Sequence, residues 1–316
     1  MITIAVIGTG SWGRRHIRVF AEMPGCQVVA LADTSAESLA HARPMAPEAT
    51  CFQDHRDLLA RCDCPAVVVA TPAHTHYPIT RDCLVAGRHV LVEKPLAVSV
   101  AEARKLCLLA RQQHVILMVG HILLYHPALQ QVQQLHSQGI LGQLRRIRAW
   151  RTDPKAAPNG ESALWAFAVH DIAVMNWLMA RMPAAVCARR RGPGDQVHFR
   201  LRFDPCVEAQ GLAAWQHPTR QRRLWFEFDR AEIVFDDLAT PKLTIRSAPA
   251  LPGLDSSTLC AEPLRLEADD FCACIRNRAL PRSDGTSGLS VIQTAQALEQ
   301  SLREDGSPVT ITGDDP

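Results

Sequence analysis

The chain has 316 residues, a length that favours about two domains of ordinary size. Hydrophobic residues make up 47% and charged residues 21% of it, so a full core can form and extensive disorder is excluded. The 34 basic and 32 acidic residues nearly balance, which excludes a strong long-range attraction to nucleic acid or to an anionic membrane surface.

The N-terminal residues read directly as a buried strand, without the charged region and cleavage site of a secretory signal. The 11 cysteines are therefore expected to be reduced thiols in a cytoplasmic protein. Cys62/Cys64 and Cys272/Cys274 form two Cys-x-Cys pairs, but this spacing is not that of a zinc site, and no metal is predicted. No apolar run reaches the roughly 18 residues that a membrane span needs.

The first 120 residues alternate short, continuously apolar runs with helical patterns. Such runs indicate strands buried on both faces, which is typical of a parallel sheet between layers of helices. The predicted strands are Ile2–Ile7, Val28–Ala32, Pro65–Ala70, His89–Val92 and Val115–Val119. The predicted helices are Trp12–Glu22, Tyr77–Ala86 and Val98–Gln112, and Ala42–Cys51 is expected to be a loop that enters a short strand.

After residue 120, strands follow in close succession, and several alternate apolar residues with Arg as in an antiparallel sheet with one wetted face. The predicted strands are Leu144–Thr152, Val186–Arg191, Gln196–Phe203, Val207–Trp215, Arg222–Phe228, Glu232–Phe235 and Leu243–Ile245. The predicted helices are His126–Ser137, Asp171–Met182, Leu266–Asn277 and Thr286–Arg303, before a short last strand and a frayed end. An α/β chain is therefore predicted, with a doubly wound parallel sheet over 1–120 and a second α/β domain over 121–316.

Three glycines point to a nucleotide site. Gly8, Gly10 and Gly13 form G-x-G-x-x-G directly after a strand and at the start of a helix. The first permits a tight turn, the second lets a pyrophosphate approach the backbone, and the third lets the helix pack closely. Ser11 and Trp12 lie at the helix start, where free backbone N–H groups face an anion, and they are predicted to contact the cofactor.

Asp33 stands twenty residues after Gly13, at the end of the second strand. A carboxylate at this place accepts hydrogen bonds from the adenine ribose and repels a 2′-phosphate. The next residues supply no Arg that would bind that phosphate, so NAD is predicted in preference to NADP.

The C-terminal ends of the predicted strands Pro65–Ala70 and His89–Val92 should lie beside that cofactor, because ligands of open α/β sheets bind at the carboxyl edge. The predicted contacts there are Thr71, Pro72, His76, Glu93 and Lys94. Only four of the 34 basic residues are Lys, which draws attention to Lys94. The following proline favours an extended backbone at Lys94, which aims its ammonium into the crevice.

Together these residues resemble one family. GTGSWG, Asp33, ATPAHTH and EKP occur in the order and spacing of the glucose–fructose oxidoreductase/inositol dehydrogenase/rhizopine catabolism (Gfo/Idh/MocA) family. GHILLYHPAL, LWAFAVHDI and LEADDFCACIRNRALPRSDGTSGL are similar to later family segments, so the resemblance covers essentially the whole chain. It implies a Rossmann domain, a second domain with a large open, mostly antiparallel sheet, and oxidation or reduction of a sugar or cyclitol carbon with NAD(P).

The resemblance also implies that Lys94 and His170 are the catalytic residues. A His of near-neutral pKa suits removal of a hydroxyl proton, and a fixed ammonium suits stabilisation of a developing alkoxide. The two side chains are expected to converge over the nicotinamide, and the Lys94–Pro95 bond is expected to be cis. Many members carry Asp four residues before the histidine, whereas this chain has Ala166. Val169 also replaces a proline common in one subgroup.

The motifs VGH-x-x-LY-x-P and LW-x-x-A-x-HD resemble the sugar-nucleotide branch of the family, in particular the UDP-N-acetylglucosamine 3-dehydrogenases. That branch implies an NAD-dependent oxidation to a 3-keto sugar nucleotide, which a PLP aminotransferase converts to a 3-amino sugar for lipid A. The predicted substrate contacts are His121, Tyr125, Trp165 and Asp171.

Two predicted strands carry arginines that could bind a diphosphate, although a wetted sheet face explains most of them: Arg145, Arg146, Arg148 and Arg151, then Arg220, Arg222 and Arg223. A homodimer or homotetramer is expected from the resemblance. The aromatic residues Trp215, Trp225, Phe226 and Phe228 suit either such an interface or the core.

Two other functions remain open from the sequence. A free-sugar or inositol dehydrogenase of the same family would share every cofactor residue. A non-catalytic NAD-binding regulator is favoured by Ala166 and opposed by the presence of Lys94 and His170.

Overall fold

The computed structural model describes residues 1–192, 194–204, 207–246 and 261–311. The contacts divide the chain into two units. The first contains Met1–Ile122 and Glu262–Ile292, and the second contains Leu123–Ala261 and Gln293–Asp315. A division at residue 120 into two functional domains stays a prediction, but the contacts group Glu262–Ile292 with the N-terminal residues. The packing of one helix from that segment on the first helix of the chain accounts for this grouping.

The strands and helices follow one another as the alternating apolar pattern predicts. The strands are β1 (Ile2–Ile7), β2 (Cys26–Ala32), β3 (Thr50–Phe52), β4 (Ala66–Val69), β5 (His89–Glu93), β6 (Leu117–Gly120), β7 (Leu144–Thr152), β8 (Ala185–Arg190), β9 (Gln196–Asp204), β10 (Val207–Ala214), β11 (Gln221–Phe228), β12 (Glu232–Asp236), β13 (Leu243–Arg246) and β14 (Val309–Thr310). The α-helices are α1 (Ser11–Ala21), α2 (Ala36–Ala42), α3 (His55–Arg61), α4 (His76–Val85), α5 (Val100–Gln112), α6 (Pro127–Ser137), α7 (Val169–Met179), α8 (Pro263–Asn277) and α9 (Gly285–Arg303).

The sheet of the first unit is parallel throughout, with the strand order β3-β2-β1-β4-β5-β6. Its central strands are buried on both faces, which is why their sequences are continuously apolar rather than alternating. The predicted doubly wound parallel sheet is therefore confirmed, and its order is that of a dinucleotide-binding fold.

The sheet of the second unit has eight strands in the order β13-β12-β11-β7-β10-β9-β8-β14. Only the β7–β10 pair is parallel, and the other neighbours are antiparallel. The predicted open and mostly antiparallel sheet is confirmed. Along β11, buried Leu224, Phe226 and Phe228 alternate with less buried neighbours, so one face packs against the core.

The aromatic residues of the second unit divide between the two faces of this sheet. Phe226, Phe228 and Trp215 are buried, so core packing explains them. Trp225 lies on the opposite face, where its ring meets that of Trp150 edge-on at a centroid distance of 4.9 Å. Trp150 is 42% exposed, so the pair leaves an apolar patch on the open face.

Several helices differ from the sequence prediction. The helices α2 and α3 were not predicted, because each has only seven residues and therefore shows little apolar periodicity. Their N-caps stabilise them, since the side chains of Ser35 and Asp54 accept backbone N–H groups of the first turn. The helix α7 begins and ends before its predicted limits, at Val169 and Met179, and continues a π-helical turn over Leu164–Ala168.

The nine cysteines in the described residues are free thiols. Cys206, Cys260 and the expected frayed end after residue 311 lie outside the described residues. Among the helices described, none is long and apolar enough to cross a membrane.

A close contact between β9 and β10 predicts the cost of one substitution. A Cβ on Gly211 would stand 2.2 Å from Cζ of Phe199, whose ring is buried across the strand pair. We expect Gly211→Ala to lower the free energy of unfolding by roughly 1–3 kcal/mol, the usual cost of overpacking a core. Urea unfolding measures the loss. Phe199→Leu makes room, so the double variant should lose less than the sum of the two single losses. Additive losses would contradict the contact.

Candidate active site

The glycine turn between β1 and α1 leaves no room for side chains at two positions. Gly8 has φ +90°, and a Cβ on it would stand 2.5 Å from the carbonyl oxygen of Ala70 at the end of β4. A Cβ on Gly13 would stand 1.8 Å from the carbonyl oxygen of Gly8. The turn therefore brings β1, α1 and the end of β4 into direct backbone contact.

The start of α1 faces open space. A Cβ on Gly10 would meet no heavy atom within 4 Å, so the backbone is accessible at this point. Gly10 is the N-cap and no side chain caps this helix, which leaves the N–H groups of its first turn free for an anion. Ser11 and Trp12, the first residues of the helix, are exposed there.

Asp33 is held in place beside that turn. Its Oδ2 accepts the backbone N–H of Thr9 at 2.7 Å and the hydroxyl of Thr9 at 3.0 Å, and its Oδ1 accepts the backbone N–H of Ser35 at 2.9 Å. A carboxylate has about four acceptor positions, so Oδ1 retains one for a ligand hydroxyl. The sequence indicated Asp33 but not its anchor Thr9, which lies between the first two glycines.

His76 contacts the backbone at the carboxyl ends of β4 and β5. Its Nε2 lies 2.8 Å from the carbonyl oxygen of Thr71, and its Nδ1 lies 2.6 Å from that of Pro95. Burial lowers the pKa of His76, so the ring is neutral and donates to only one of the two carbonyls. Both nitrogens face backbone carbonyl oxygens, so His76 positions Thr71 and Pro95, and its predicted contact with the cofactor stays a prediction. Pro72, next to Thr71, is exposed.

Glu93 joins the end of β5 to the nucleotide-binding helix α1. Its Oε1 lies 2.9 Å from Nε2 of His16, and its Oε2 accepts the backbone N–H of Lys94 at 3.2 Å. Burial opposes ionisation of Glu93, but His16 and the positive charge of Lys94 hold its pKa below the ordinary value. The carboxylate therefore fixes the backbone at Lys94, whose side chain is half-buried and whose bond to Pro95 is cis as expected.

His121 directly follows β6 and is buried, and neither ring nitrogen has a hydrogen-bond partner within the described part of the chain. Burial, and next the charge of Lys94, lower the pKa of His121 to about 4. The ring is therefore neutral at physiological pH. A buried polar group without a partner costs about 1–3 kcal/mol, which a ligand that supplies the partner would offset.

Glu267 on α8 is a buried acid that the sequence analysis missed. Neither of its carboxyl oxygens has a hydrogen-bond partner among the residues described. Burial, and next the charges of Glu93 and Asp270, raise the pKa of Glu267 well above its ordinary value, so the group is protonated. The helical spacing Leu264, Glu267, Ala268 and Phe271 is the signal that would have placed it on the buried face.

In the second unit, the π-helical turn leads directly into α7 and presents His170 there. His170 is the second residue of α7 and is half-buried, whereas Ala166 is buried inside the turn. Such π-helical turns are frequent at functional sites. Tyr125 is buried, and Trp165 donates its Nε1–H to Oε1 of Glu299 at 2.7 Å.

Asp171 is engaged inside the second unit. Arg151 on β7 donates to both of its carboxyl oxygens, with Nη2 at 2.7 Å and Nε at 3.1 Å from Oδ1, and both residues are buried. Burial raises the pKa of Asp171, and the guanidinium of Arg151 offsets part of that effect. The substrate contact of Asp171 stays a prediction; the structure shows a buried ion pair, which no local pattern indicates because its partner lies twenty residues earlier.

The end of β7 carries more positive than negative charge. Arg220 and Arg222 both approach Oδ2 of Asp153, at 3.4 and 3.3 Å. Arg222 also interacts electrostatically with the charges of Arg151 and Asp171. Three arginines thus face two aspartates in this group. The remaining predicted arginines lie on the sheet surface and pair with acids there, as a wetted face requires: Arg145 with Asp229, Arg146 and Arg148 with Glu227, and Arg223 with Asp236.

Comparison with known families agrees with this geometry. Residues 2–121 match the family model of the Gfo/Idh/MocA oxidoreductases with an NAD-binding Rossmann fold, and residues 129–236 match the model of the C-terminal domain of that family. This chain belongs to the Gfo/Idh/MocA family. The resemblance predicted from the sequence is therefore confirmed.

Individual members of the Gfo/Idh/MocA family differ in how much of the chain they match. A UDP-N-acetylglucosamine 3-dehydrogenase from Acidithiobacillus ferrooxidans is 28% identical over 304 residues, which are 92% of this chain and 94% of that protein. The solved structure of UDP-N-acetylglucosamine 3-dehydrogenase GnnA from the same organism superimposes with a TM-score of 0.82 at 25% identity, over 96% of this chain and 98% of that chain.

An inositol 2-dehydrogenase from Gluconacetobacter diazotrophicus is 32% identical over 182 residues, which are 56% of this chain and 54% of that protein. The chain thus spans about half the length of some of the curated relatives that it matches.

The cofactor of this Gfo/Idh/MocA domain is NAD, and the residues present fit it. The uncovered first turn of α1 offers N–H groups to a pyrophosphate, and Gly10 leaves the space beside it open. Asp33 retains an acceptor for a ribose hydroxyl and carries the charge that repels a 2′-phosphate.

The anchored carboxylate of Asp33 predicts the cofactor preference. Asp33→Asn keeps the shape and an oxygen for Thr9 but removes the charge. Since like charges brought together cost several kcal/mol, we expect the ratio of the dissociation constants for NADP and NAD to fall by roughly 10-fold or more. Fluorescence titration with both dinucleotides measures it. Tighter binding of NADP than of NAD by the natural protein would contradict this role of Asp33.

The buried carboxyl of Glu267 predicts a pH dependence of stability. Because its pKa is raised in the folded state, the folded protein binds more protons than the unfolded one above about pH 4.3, and the free energy of unfolding falls as pH rises, by at most about 1.4 kcal/mol per pH unit. Glu267→Gln should remove this contribution and unfold at higher urea concentration than the natural protein near neutral pH.

The matched control is Glu48→Gln, a substitution of an exposed acid in the same unit. It should leave the dependence of the urea midpoint on pH unchanged. Equal pH profiles of the natural protein and Glu267→Gln would show that Glu267 titrates normally.

Proposed function

We propose that this protein is an NAD-dependent dehydrogenase that oxidises a hydroxyl of a sugar nucleotide to a ketone, with the 3-hydroxyl of UDP-N-acetylglucosamine as the substrate. The observation that carries the proposal is the position of Lys94. It directly follows β5 at the carboxyl edge of the sheet that bears the nucleotide turn, and Glu93 fixes its backbone. Ligands of this type of sheet bind at that edge.

Lys94 supplies a positive charge for the oxygen from which the proton is removed. When bound, NAD accepts the hydride from the carbon, while removal of the hydroxyl proton by a base gives the substrate oxygen its alkoxide character. An ammonium placed in a poorly hydrated site stabilises that charge directly. Glu93 is a carboxylate with a negative charge and His121 is neutral, so neither provides this positive charge.

His170 is the proposed general base. Its position at the start of α7, after a π-helical turn, leaves the ring half-exposed. A neutral imidazole can accept a hydroxyl proton. Ala166 does not provide the carboxylate that many relatives place four residues earlier, so the mechanism depends strongly on Lys94.

The charge at the end of β7 favours an anionic substrate over a neutral one. In the group Arg151, Arg220, Arg222, Asp153 and Asp171, one guanidinium charge is not balanced by a carboxylate. Arg220 is exposed and its planar guanidinium suits a phosphate oxygen pair. The 28% identity to a UDP-N-acetylglucosamine 3-dehydrogenase over 92% of this chain supports the same class of substrate.

This substrate implies a subsequent transamination and a cytoplasmic location. The 3-keto product would be consumed by a PLP aminotransferase, which forms a 3-amino sugar for lipid A, and the protein would act in the cytoplasm. We also propose that it forms a homodimer or homotetramer. The exposed Trp150 on the open face of the second sheet supports an apolar contact between copies.

An inositol or free-sugar dehydrogenase is the second candidate. It is supported by 32% identity to one inositol 2-dehydrogenase over 56% of this chain and by 26% identity to another, from Saccharopolyspora erythraea, over 98% of this chain. A regulator that binds NAD without turnover is the third candidate, and it is distinguished by the absence of any reduced cofactor.

Substitution of the proposed catalytic pair gives a direct test. Lys94→Met should abolish turnover while NAD binding survives, because the turn and Asp33 bind the dinucleotide independently. His170→Ala should lose roughly 10²–10⁴-fold in kcat, the range for a general base. The measurements are kcat and the dissociation constant of NAD across pH.

Lys105→Met is the matched control, because Lys105 is an exposed lysine on α5 of the same unit. It should turn over normally. Near-normal turnover by Lys94→Met would contradict the assignment, since Met cannot stabilise the alkoxide.

A substrate panel separates the candidates. We expect NADH to form with NAD and UDP-N-acetylglucosamine, and little to form with N-acetylglucosamine or myo-inositol. An added aminotransferase with glutamate would trap an unstable ketone. Arg220→Gln should raise the KM for the UDP-sugar roughly 10-fold, the loss of one charge-assisted hydrogen bond, with kcat little changed. Arg223→Gln, on the sheet surface, is the control.

Preference for myo-inositol with an unaffected Arg220→Gln variant would favour the inositol dehydrogenase. NAD binding without NADH from any sugar would favour the regulator.

A further inference from the structure

A cavity of about 940 Å³ lies in the first unit, at the opposite edge of the sheet from the nucleotide turn. It is lined by the amino ends of two strands, at His89 of β5 and Leu117 of β6, together with the ends of α5 and α8 and the start of α9. The strand β5 has five residues, so its two ends lie about 13 Å apart. The cavity is therefore separate from the edge that carries Lys94, although the same strand reaches both.

The inner wall of the cavity is apolar, and one apolar side chain at its mouth is uncovered. Buried Cys107, Ala110, Leu117 and Cys274 form much of the wall. Leu280 also lines the cavity and is 80% exposed. An apolar wall with an exposed leucine is a surface that gains free energy when an apolar group covers it.

One ring in the cavity is a fixed hydrogen-bond donor. Nδ1 of His89 accepts the backbone N–H of Ile116 at 2.9 Å, so the proton of the neutral ring lies on Nε2. Burial lowers the pKa of His89, which keeps the ring in that neutral form at physiological pH. Because Ile116 immediately precedes β6, this hydrogen bond ties the ring to the backbone at the start of that strand.

The accessible charge of the lining is positive. Arg278 is exposed and makes no ion pair with any residue that the structure describes, and Arg111 donates from Nη2 to Oγ1 of Thr286 at 3.4 Å. One carboxylate, that of Asp284, also lines the cavity, and its Oδ1 accepts the N–H of Ser287 at 2.7 Å. A ligand thus meets two guanidinium groups against one carboxylate, together with an N–H donor and an apolar wall.

We propose that this cavity is a second ligand site, which takes an organic anion with an apolar body, such as an aliphatic or aromatic carboxylate. The carboxylate binds to Arg278 and Arg111 and accepts the Nε2–H of His89, while the apolar body covers Leu280 and the inner wall. Sites of this size that combine apolar walls with a few polar groups are typical of small-molecule binding. The site is independent of the substrate proposed above.

The test is calorimetric titration of the full chain, saturated with NAD, with 4-phenylbutyrate. We expect saturable binding at millimolar or lower concentrations. The cation 4-phenylbutylamine has the same body and should bind at least 10-fold more weakly, because the two guanidinium charges of Arg278 and Arg111 outweigh the single carboxylate of Asp284 in the lining.

Two variants locate the site without disturbing the fold. Arg278 has φ +52°, which Asn adopts more readily than Arg, so Arg278→Asn removes the charge and should fold. Leu280→Ser removes an exposed side chain. Each should weaken 4-phenylbutyrate binding roughly 10-fold, whereas Arg43→Gln, an exposed arginine outside the lining, should not.

Four outcomes would overturn the proposal. They are the absence of saturable binding to the NAD-saturated chain, equal binding of the amine, at least 10-fold tighter binding of 4-phenylbutyrate when NAD is left out, and unchanged affinity in both Arg278→Asn and Leu280→Ser. Unfolding midpoints of the variants equal to that of the natural protein would show that a loss of binding does not come from a loss of structure.

Discussion

The backbone of Gly8 lies against that of Ala70, and the backbone of Gly13 lies against that of Gly8, with no room for a Cβ at either glycine. This close approach determines where α1 begins relative to the parallel sheet. It leaves the first turn of α1 uncovered at the carboxyl edge, where its N–H groups are free for an anion. It also brings Thr9 within hydrogen-bond distance of Asp33. The same backbone contact therefore positions both the first turn of α1, which can bind a pyrophosphate, and the carboxylate of Asp33, which can accept a ribose hydroxyl.

Buried titratable groups surround the end of β5, and each is stabilised in a different way. Glu93 is ionised because His16 and a backbone N–H contact it, whereas Glu267 is protonated because it has no partner among the residues described. His121 is neutral because burial removes it from water. Such perturbed pKa values are common at functional sites, where burial and neighbouring charges adjust a group to its chemistry. Their position around Lys94 agrees with the catalytic role proposed for that residue.

Charge in the second unit is largely balanced within the unit itself. The arginines of the sheet surface pair with acids on neighbouring strands, and the buried Arg151 pairs with Asp171. Exposed pairs of this kind contribute little to stability, whereas a buried pair is costly to break from one side. The arginine count of the sequence therefore overstates how many cations are available to a ligand, and the surplus charge around Arg220 is what supports the anionic substrate proposed above.

The sequence by itself determined the features that depend on neighbouring residues. Continuous apolar runs indicated the parallel strands, alternation with Arg indicated the second sheet, and the spacing of the glycines and Asp33 indicated the nucleotide site. The place of Lys94 followed as well, because a strand end and a following proline are local signals. The short helices α2 and α3 could not be predicted, because seven residues are too few to show a clear apolar periodicity.

Only the tertiary structure decided which distant side chains meet. It paired Asp171 with Arg151, set both nitrogens of His76 against carbonyl oxygens, and placed Glu267 in the first unit near Glu93. It also placed Trp225 on one face of β11 and Phe226 and Phe228 on the other. Periodicity reports how much of a segment is buried, but the partner of a buried charge depends on which elements pack together, and that is a property of the folded chain.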